Sequence, residues 1–378
     1  MTLALAILFG LFLAYANGAN DNFKGVATLY GSGTTHYNKA LLWATITTFL
    51  GSTMALILAQ ELLTTFTGKG LVPDSIVTLK SFSLAVVLAA AATVMCATRI
   101  GMPVSTTHAL IGALLGAAWL ASPEGVNLAT LGSSFFAPLL ASPLLAIVAC
   151  AVLYPCLRFI RRKLGIEKET CVCLGTETLV VLPATILRGS TMTPAATPIL
   201  PTLTVGTEAT CQQRYTGTLF GISARTLLDA LHFLSAGMVS FARGLNDTPK
   251  IGAMLLVGGA LSPLAALVAV ALVMAVGGLL NAKRVAETMS HRVTEINPGQ
   301  GFTANLVTST IVILASKLGL PVSTTHVSCG ALFGIGTVTR QAHWDTIVAI
   351  LLAWITTLPL AAAFGAIGFL ALNRWLVA

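Results

Sequence analysis

Charged residues are scarce in this chain. Asp, Glu, Lys and Arg make up only 9% of its 378 residues, whereas soluble globular domains carry about 25%. That shortage excludes a soluble enzyme or binding module of ordinary composition. Apolar residues make up 56% of the chain and its mean hydropathy is +0.87, so the composition indicates an integral membrane protein.

Acidic residues are the scarcer charged type, with 13 Asp and Glu against 21 Lys and Arg. Most basic residues stand in polar connections between apolar runs, and the solvent-facing basic stripe of a nucleic-acid-binding protein is missing. We therefore expect no nucleic-acid partner. By the positive-inside rule, the basic cluster at residues 158–163 predicts that the polar stretch after it is cytoplasmic.

Cysteine is also sparse, with seven residues. Cys171, Cys173 and Cys211 fall in the polar middle stretch, where a Cys-x-Cys pair with a distant third cysteine is a weak metal or redox pattern. Metal sites usually show four ligands at tighter spacing. We expect no cofactor.

About ten apolar runs are long enough to cross a membrane as helices, since roughly 20 residues span the hydrocarbon. Five runs precede the polar stretch and five follow it. The predicted fold is an all-α membrane protein, in which residues 1–159 and 218–378 form two repeats of about five membrane segments each. Residues 160–217 form a small cytoplasmic insert with strand-rich composition. Both termini should then lie outside.

The hexapeptide Pro-Val-Ser-Thr-Thr-His occurs twice, at residues 103–108 and 321–326. Each copy follows a Gly-x-Pro turn and opens an apolar run, which is typical of a helix N-terminus with a serine cap. Free backbone N–H groups and three hydroxyls in each copy can bind an anion. Two identical copies indicate a duplication with a shared task. The candidate substrate-binding residues are Ser105, Thr106, Thr107, Ser323, Thr324 and Thr325.

A second motif is also duplicated. Residues 18–24 read Gly-Ala-Asn-Asp-Asn-Phe-Lys, and residues 244–250 read Gly-Leu-Asn-Asp-Thr-Pro-Lys. An acid and a base so close to a membrane span predict an interrupted helix that lines a polar cavity. Because each repeat has an odd number of segments, the two copies must enter the membrane in opposite orientations, the inverted-repeat plan of secondary transporters. The candidate coupling-ion and charge residues are Asn20, Asp21, Lys24, Asn246, Asp247 and Lys250.

These residues support two hypotheses of different classes. In the first, the paired Ser-Thr-Thr helix ends hold a tetrahedral oxyanion at mid-membrane, while Asp21 and Asp247 bind a coupling cation or accept hydrogen bonds from a protonated anion. In the second, Ser105 and His108 are the nucleophile and base of an intramembrane hydrolase. Against this, the sequence shows no third residue of a catalytic triad, and a hydrolase has no use for a second copy of its nucleophile. We expect a transporter and not an enzyme. His108 and His326 then have a structural role, with pH sensing as the alternative.

At these two motifs the chain resembles the inorganic phosphate transporter family, usually called PiT. Hallmarks of the family are Gly-Ala-Asn-Asp near the start of each half and Pro-Val-Ser-Thr-Thr-His later in each. The resemblance implies sodium- or proton-coupled phosphate uptake by a homodimeric symporter of the inner membrane. It also implies that the Ser-Thr-Thr residues contact phosphate and that sodium lies near Asn20, Asp21, Asn246 and Asp247.

Two departures from the family pattern bear on the coupling ion. Most members have Asn three residues after the motif Asp, whereas this chain has Lys24 and Lys250. An ammonium beside an aspartate could occupy the place of a bound cation. Many sodium-coupled members also carry a glutamate in the second span and in its counterpart; by local alignment those positions are Thr48 and Asn305. The choice between sodium and proton therefore stays open.

The same departures bear on the anion. Phosphate near neutral pH carries one or two protons, so a site that prefers it needs an acceptor such as Asp21 or Asp247. If Lys24 and Lys250 neutralise those acids, the site becomes more tolerant of fully ionised sulfate. A sulfate permease is therefore the alternative to a phosphate transporter.

Overall fold

The computed structural model describes residues 2–66, 71–122, 125–176, 201–207, 209–210, 220–257 and 261–377. The chain forms two compact units. One contains Met1–Pro155 and His232–Ala378, and the other is Cys156–Leu231. The division into repeats 1–159 and 218–378 around an insert 160–217 stays a prediction.

Long helices dominate the first half of the chain. Uncharged runs of Ala, Leu and Val form helices in a membrane because the helix satisfies every backbone N–H and C=O within one segment. The helices are α1 (Thr2–Asp21), α2 (Ala27–Gly31), α3 (Tyr37–Leu58), α4 (Gln60–Thr65), α5 (Asp74–Val77), α6 (Lys80–Arg99), α7 (Thr106–Ala121), α8 (Leu128–Thr130) and α9 (Ala137–Lys163), with a π-helical segment, Leu131–Phe136, before α9.

The second half repeats this order. Ten of the described helices have 16 or more residues, five in each half, which confirms the predicted all-α fold of two five-segment repeats. The helices of this half are α10 (Ala224–Val257), α11 (Pro263–Asn281), α12 (Lys283–Glu287), α13 (Pro298–Lys317), α14 (Thr324–Thr339) and α15 (Trp344–Val377), with a π-helical segment, Thr288–Arg292, after α12.

Six helical stretches among the described residues are long and apolar enough to cross a membrane. They are Thr2–Gly31, Tyr37–Leu58, Lys80–Arg99, Leu128–Lys163, Pro263–Asn281 and Trp344–Leu376. By contrast, α7 and α14 have only 16 residues each, about 24 Å of helix. A hydrocarbon core of about 30 Å is thicker than that, so these two helices fit the interrupted or re-entrant segments that the sequence predicts.

The halves pack on each other through glycines at equivalent positions. A methyl group on Gly18 of α1 would lie 2.0 Å from the carbonyl oxygen of Met274 in α11, and one on Gly244 of α10 would lie 2.1 Å from that of Thr48 in α3. Both partners are displaced by the same 226 positions (244 − 18 and 274 − 48). Each half therefore makes the same contact with the other, which indicates a two-fold relation between them.

The hexapeptide helices also make reciprocal glycine contacts between the halves. A methyl group on Gly116 of α7 would lie 1.9 Å from the carbonyl oxygen of Ala362 in α15, and one on Gly334 of α14 would lie 2.4 Å from that of Ile147 in α9. Small residues let the backbones of membrane helices approach this closely. The hexapeptide helix of each half thus packs against the last long helix of the other half, as in inverted-topology transporters.

The backbone conformation at the Asn-Asp motif differs between the two halves. Helix α1 ends at Asp21, and a turn leads to α2 at Ala27, so the interrupted helix predicted there is confirmed. Helix α10 instead continues through Asp247 and Pro249. The interruption occurs in the first half only.

The unit Cys156–Leu231 contains a three-stranded antiparallel sheet. Strand β1 (Thr170–Thr176) lies between β2 (Pro201–Thr207) and β3 (Phe220–Ser223). Cys171 is the register partner of Gly206 on one side and of Ser223 on the other. This confirms the predicted strand-rich composition; the cytoplasmic placement of the unit and the outside placement of both termini stay predictions.

The cysteines of this unit are only partly described. Cys171 is a free thiol and Cys173 is disulfide-bonded, while Cys211 lies outside the described residues. Within the described part of the chain, no group of three or more His, Cys, Asp and Glu side chains is arranged to hold a metal ion.

We expect Gly116→Ala to destabilise the protein, because its methyl group would meet the backbone of α15 at 1.9 Å. Overpacking of this kind costs about 1–3 kcal/mol. Thermal unfolding of the purified protein in detergent measures the loss. Gly132→Ala is the matched control, since nothing lies within 4 Å of the methyl group that it adds. Equal melting temperatures for the two variants would contradict the close packing of α7 on α15.

Candidate functional site

Glycine sets the turn that leads into each hexapeptide. Gly101 and Gly319 have φ angles of +77° and +66°. A residue with a side chain would pay about 1–2 kcal/mol for this left-handed conformation. The bends predicted at these two glycines are confirmed.

Serine caps the helix that follows each turn. Ser105 Oγ accepts a hydrogen bond from the backbone N–H of His108 at 3.1 Å, and Ser323 Oγ accepts one from His326 at 3.2 Å. The predicted caps at the starts of α7 and α14 are therefore confirmed. Each serine oxygen acts here as an acceptor, so its hydroxyl proton can still be donated to another group.

The two hexapeptides contact each other, and each contributes the same type of residue to the contact. Thr325 Oγ1 donates to the carbonyl oxygen of Val104 at 2.9 Å, and Thr107 Oγ1 lies 3.5 Å from the carbonyl oxygen of Val322. Each threonine thus reaches the residue before the serine cap of the opposite copy. The structure therefore brings together the two Ser-Thr-Thr segments that the sequence identifies as candidate anion-binding residues.

The two hexapeptide histidines also touch. Their ring centroids are 4.4 Å apart, and His326 stacks on Trp354 at 3.8 Å. His108 Nδ1 and His326 Nε2 are buried without a hydrogen-bond partner among the described residues. Because Ser105 bonds to the backbone of His108 while the imidazole packs on His326, this serine and histidine lack the arrangement of a hydrolase nucleophile and its base.

Lys24 occupies an oxygen-lined position between the two hexapeptides. Its Nζ lies 2.8 Å from Asn20 Oδ1, 3.0 Å from the carbonyl oxygen of Val104 and 2.6 Å from Thr325 Oγ1. It also forms a close ion pair with Asp21. Four oxygen atoms from both halves thus surround one positive charge, the type of ligand set that hard cations prefer.

Lys250 repeats this arrangement with the halves exchanged. Its ammonium donates to Thr107 Oγ1 at 2.9 Å and to the carbonyl oxygen of Val322 at 2.6 Å. The distance to Asp247 Oδ1 is 3.7 Å, so this ion pair is looser than that of Lys24 and Asp21.

The motif asparagines anchor the segment before each hexapeptide. Asn20 Nδ2 donates to Thr98 Oγ1 at 2.9 Å and to the carbonyl oxygen of Met102 at 3.0 Å. In the second half, Ser316 Oγ lies 3.4 Å from Asn246 Oδ1, and Asn246 Nδ2 donates to the carbonyl oxygen of Val322 at 3.2 Å. Thr98 and Ser316 therefore play equivalent parts, 218 positions apart (316 − 98).

Sequence reasoning missed Arg243, a third cation in this cluster. Its guanidinium donates from Nη1 to Asn22 Oδ1 at 3.0 Å and lies 3.3 Å from Thr48 Oγ1. Nε stands 3.7 Å from Asp247 Oδ2. An ionisable residue inside an apolar segment is a functional candidate by itself, so the signal was present in the sequence.

Asn17 was missed as well, although it connects the charged groups. Its Nδ2 lies 3.1 Å from Asp21 Oδ2, 3.3 Å from Asp247 Oδ2 and 2.9 Å from Thr106 Oγ1. Its Oδ1 accepts a bond from Arg243 Nη2 at 2.7 Å. This one amide therefore links both aspartates to the start of α7.

Thr48 and Asn305 do not occupy equivalent positions in the two halves, and their alignment with the family's glutamates stays a prediction. The reciprocal glycine contacts place Thr48 opposite Met274, and the offset of Thr98 and Ser316 places Asn305 opposite Val87.

The two positions also differ in their contacts. Thr48 lies in α3 against Arg243, as described above, whereas Asn305 lies in α13 and hydrogen-bonds Thr28 at 2.9 Å. Of Thr48 and Asn305, the structure therefore brings only Thr48 into contact with the charged cluster.

Five ionisable side chains are thus buried together, each no more than 4% exposed. They are Asp21, Lys24, Arg243, Asp247 and Lys250. Two carboxylates and three cations leave one net positive charge when all are ionised. Two helix N-termini add positive potential, so the arrangement favours an anionic ligand with several hydrogen-bond acceptors.

The chain is similar to known membrane transporters. The model of the phosphate transporter family matches residues 17–365. A candidate phosphate permease of Pyrococcus abyssi is 27% identical over an alignment that covers 99% of this chain and 98% of the relative. The chloroplastic inorganic phosphate transporter 2-1 of Arabidopsis thaliana is 27% identical, with 96% of this chain and 70% of the relative covered.

One solved structure has the same fold. Described as the sodium-dependent phosphate transporter, it superposes with a TM-score of 0.75 over 99% of both chains, at 22% sequence identity.

We expect Lys24→Met to lower the free energy of unfolding by about 3–5 kcal/mol, because it leaves the Asp21 carboxylate buried and unpaired. A double variant that adds Asp21→Asn should recover part of the loss. Lys250→Met should cost less, since Arg243 stands as close to the Asp247 carboxylate as Lys250 does.

Unfolding midpoints without added phosphate measure these differences. Equal losses for the two lysine variants, or no recovery in the double variant, would contradict the unequal ion pairs.

Proposed function

This chain belongs to the phosphate transporter family, and on that premise we propose that it is a secondary transporter that carries inorganic phosphate across the membrane. The anion is held at mid-membrane between the N-termini of α7 and α14. Lys24 and Lys250 balance the charges of Asp21 and Asp247, as coupling sodium ions would otherwise do. The binding residues are Ser105, Thr106, Thr107, Ser323, Thr324 and Thr325.

The observation that carries this proposal is the meeting of the two hexapeptides. Each threonine hydroxyl, Thr107 and Thr325, reaches the opposite copy within 3.5 Å. A tetrahedral oxyanion has oxygens on all sides, and two opposed helix N-termini offer it N–H groups, hydroxyls and favourable dipoles from two directions. This geometry supports an oxyanion as the ligand.

The lysine contacts support transport without sodium. Sodium is expected near Asn20, Asp21, Asn246 and Asp247 from the family pattern, and the ammonium of Lys24 stands among the oxygens of the first pair. A tethered ammonium makes the same charge-assisted contacts as a bound cation, but it stays with the protein. A proton then remains as the coupling ion.

Sulfate is the second candidate substrate, because the possible acceptors for a protonated anion are already engaged. Asp21 accepts bonds from Lys24 and from Asn17 Nδ2, the latter at 3.1 Å. Asp247 Oδ1 accepts a bond from Asn246 Nδ2 at 3.0 Å. Sulfate is fully ionised and needs no acceptor.

The remaining properties come from the family resemblance. In this proposal the transporter is a homodimer of the inner membrane, with the unit Cys156–Leu231 in the cytoplasm and both termini outside. The cluster 158–163 supports that orientation, since basic residues next to membrane spans favour the cytoplasmic side.

Radiolabelled phosphate uptake into proteoliposomes tests the proposal. We expect uptake that is unchanged when choline replaces sodium and that responds to an imposed proton gradient. The double variant Ser105→Ala with Ser323→Ala should weaken apparent phosphate affinity by roughly tenfold, because each lost hydroxyl contact is a charge-assisted hydrogen bond.

Ser133→Ala is the matched control, since that serine is exposed and bonds only its own helix among the described residues. Absence of phosphate uptake would contradict the function. A strict requirement for sodium would contradict the role of the lysines, and stronger binding of sulfate than of phosphate would reverse the order of the two substrates.

A further inference from the structure

The two halves differ at one buried position of the charge site. Asn17 precedes Gly18 in α1, and Arg243 precedes Gly244 in α10. Because Gly18 and Gly244 make reciprocal contacts, the residues before them are equivalent. An amide therefore stands in one half where a guanidinium stands in the other.

The side chain of Asn17 connects Arg243 to the start of α7. Its Nη2 donates to Asn17 Oδ1 at 2.7 Å, and the amide nitrogen of Asn17 lies 2.9 Å from Thr106 Oγ1. Thr106 is the first residue of α7. The guanidinium is thus tied to one hydroxyl of the proposed anion site.

A second connection runs through the aspartate of the second half. Asp247 lies between Arg243 Nε and Lys250 Nζ, at 3.7 Å from each. Lys250 in turn donates to Thr107 Oγ1 at 2.9 Å. Arg243 therefore shares one carboxylate with a lysine that is already bound to the anion site.

The charges of the five residues do not cancel. Lys24 balances Asp21 and Lys250 can balance Asp247, which leaves Arg243 without a carboxylate of its own. Its side chain is 1% exposed, and its Nε has no hydrogen-bond partner among the described residues. An unbalanced charge buried in this way is costly unless a counter-charge comes close.

We infer that Arg243 supplies the positive charge that binds the transported oxyanion, and that the anion is its missing counter-charge. The inference rests on the proposed function and assigns the charge requirement of that site to one residue. The two lysines balance the aspartates of their own motifs and join the halves through hydrogen bonds to Thr325 and Thr107. Arg243 then makes the site complementary to one net negative charge from the ligand.

Phosphate binding to the purified full-length protein tests this role. Arg243→Gln should weaken equilibrium binding of radiolabelled phosphate by at least about tenfold. Tenfold corresponds to about 1.4 kcal/mol, which a unit charge contributes within about 11 Å of the anion at an effective dielectric near 20. It should also remove most of the rise in melting temperature that phosphate causes. Arg243→Lys keeps the charge and should bind phosphate about tenfold more tightly than Arg243→Gln.

Arg374→Gln removes the same charge at an exposed position of α15 and should bind phosphate like the wild type. A purely structural role predicts another pattern: both Arg243 variants would melt at lower temperature without anion, and the phosphate-induced rise would persist. That result would overturn the inference.

Three further outcomes are decisive. If Arg243→Gln does not fold, Arg243→Asn provides the neutral variant, and a folded Arg243→Lys protein that has lost phosphate binding would also overturn the inference. If the wild type itself binds no phosphate, the proposed function fails instead; unchanged binding in Arg243→Gln beside a binding wild type refutes the role of Arg243 alone.

Discussion

A charge buried among apolar side chains has to be paired with an opposite charge. The arrangement of the buried charged cluster follows from that constraint. Lys24 and Lys250 each lie beside the aspartate of their own motif and bond to the hexapeptide of the opposite half. The same contacts therefore neutralise the acids and join the halves. Caps, glycine turns and close glycine packing bring the backbone near enough for these bonds to form.

The crossed contacts have a consequence for transport. Any rearrangement that separates the start of α7 from that of α14 must break the lysine contacts of both halves, because each ammonium bonds one threonine across the two-fold relation. Inverted-repeat transporters move one repeat or bundle against another around a central site. Arg243 gives the second half a buried positive charge where the first half has the neutral Asn17. A movement of one half against the other would therefore expose the anion to a different charge on each side.

Much of this arrangement can be predicted from the sequence, and the remainder shows where local reasoning fails. The helix count, the serine caps and the two duplicated motifs follow from local patterns, which need no knowledge of distant contacts. Arg243 and Asn17 were missed because each matters through a partner more than 80 positions away. Alignment of the two halves around Gly18 and Gly244 would have revealed the unequal pair.

Thr48 and Asn305 show what local alignment does not provide. The helix contacts between the halves place Thr48 opposite Met274 and not opposite Asn305, and such contacts cannot be read from a short stretch of sequence. The helix conformation at the Asn-Asp motifs was also not predictable from the motif alone. The first helix ends at Asp21, whereas the equivalent helix of the second half continues through Asp247. Two short motifs that share Gly, Asn, Asp and Lys at the same spacing therefore do not impose the same local backbone.

The central claim is that two tethered ammonium groups stand where coupling cations would stand. Phosphate binding by the double variant Lys24→Asn with Lys250→Asn, measured with sodium and with choline, tests it most directly. The account predicts that the wild type binds phosphate equally in both salts and that the double variant binds it only when sodium is present. A wild type that needs sodium, or a double variant that binds phosphate equally well in both salts, would contradict the account.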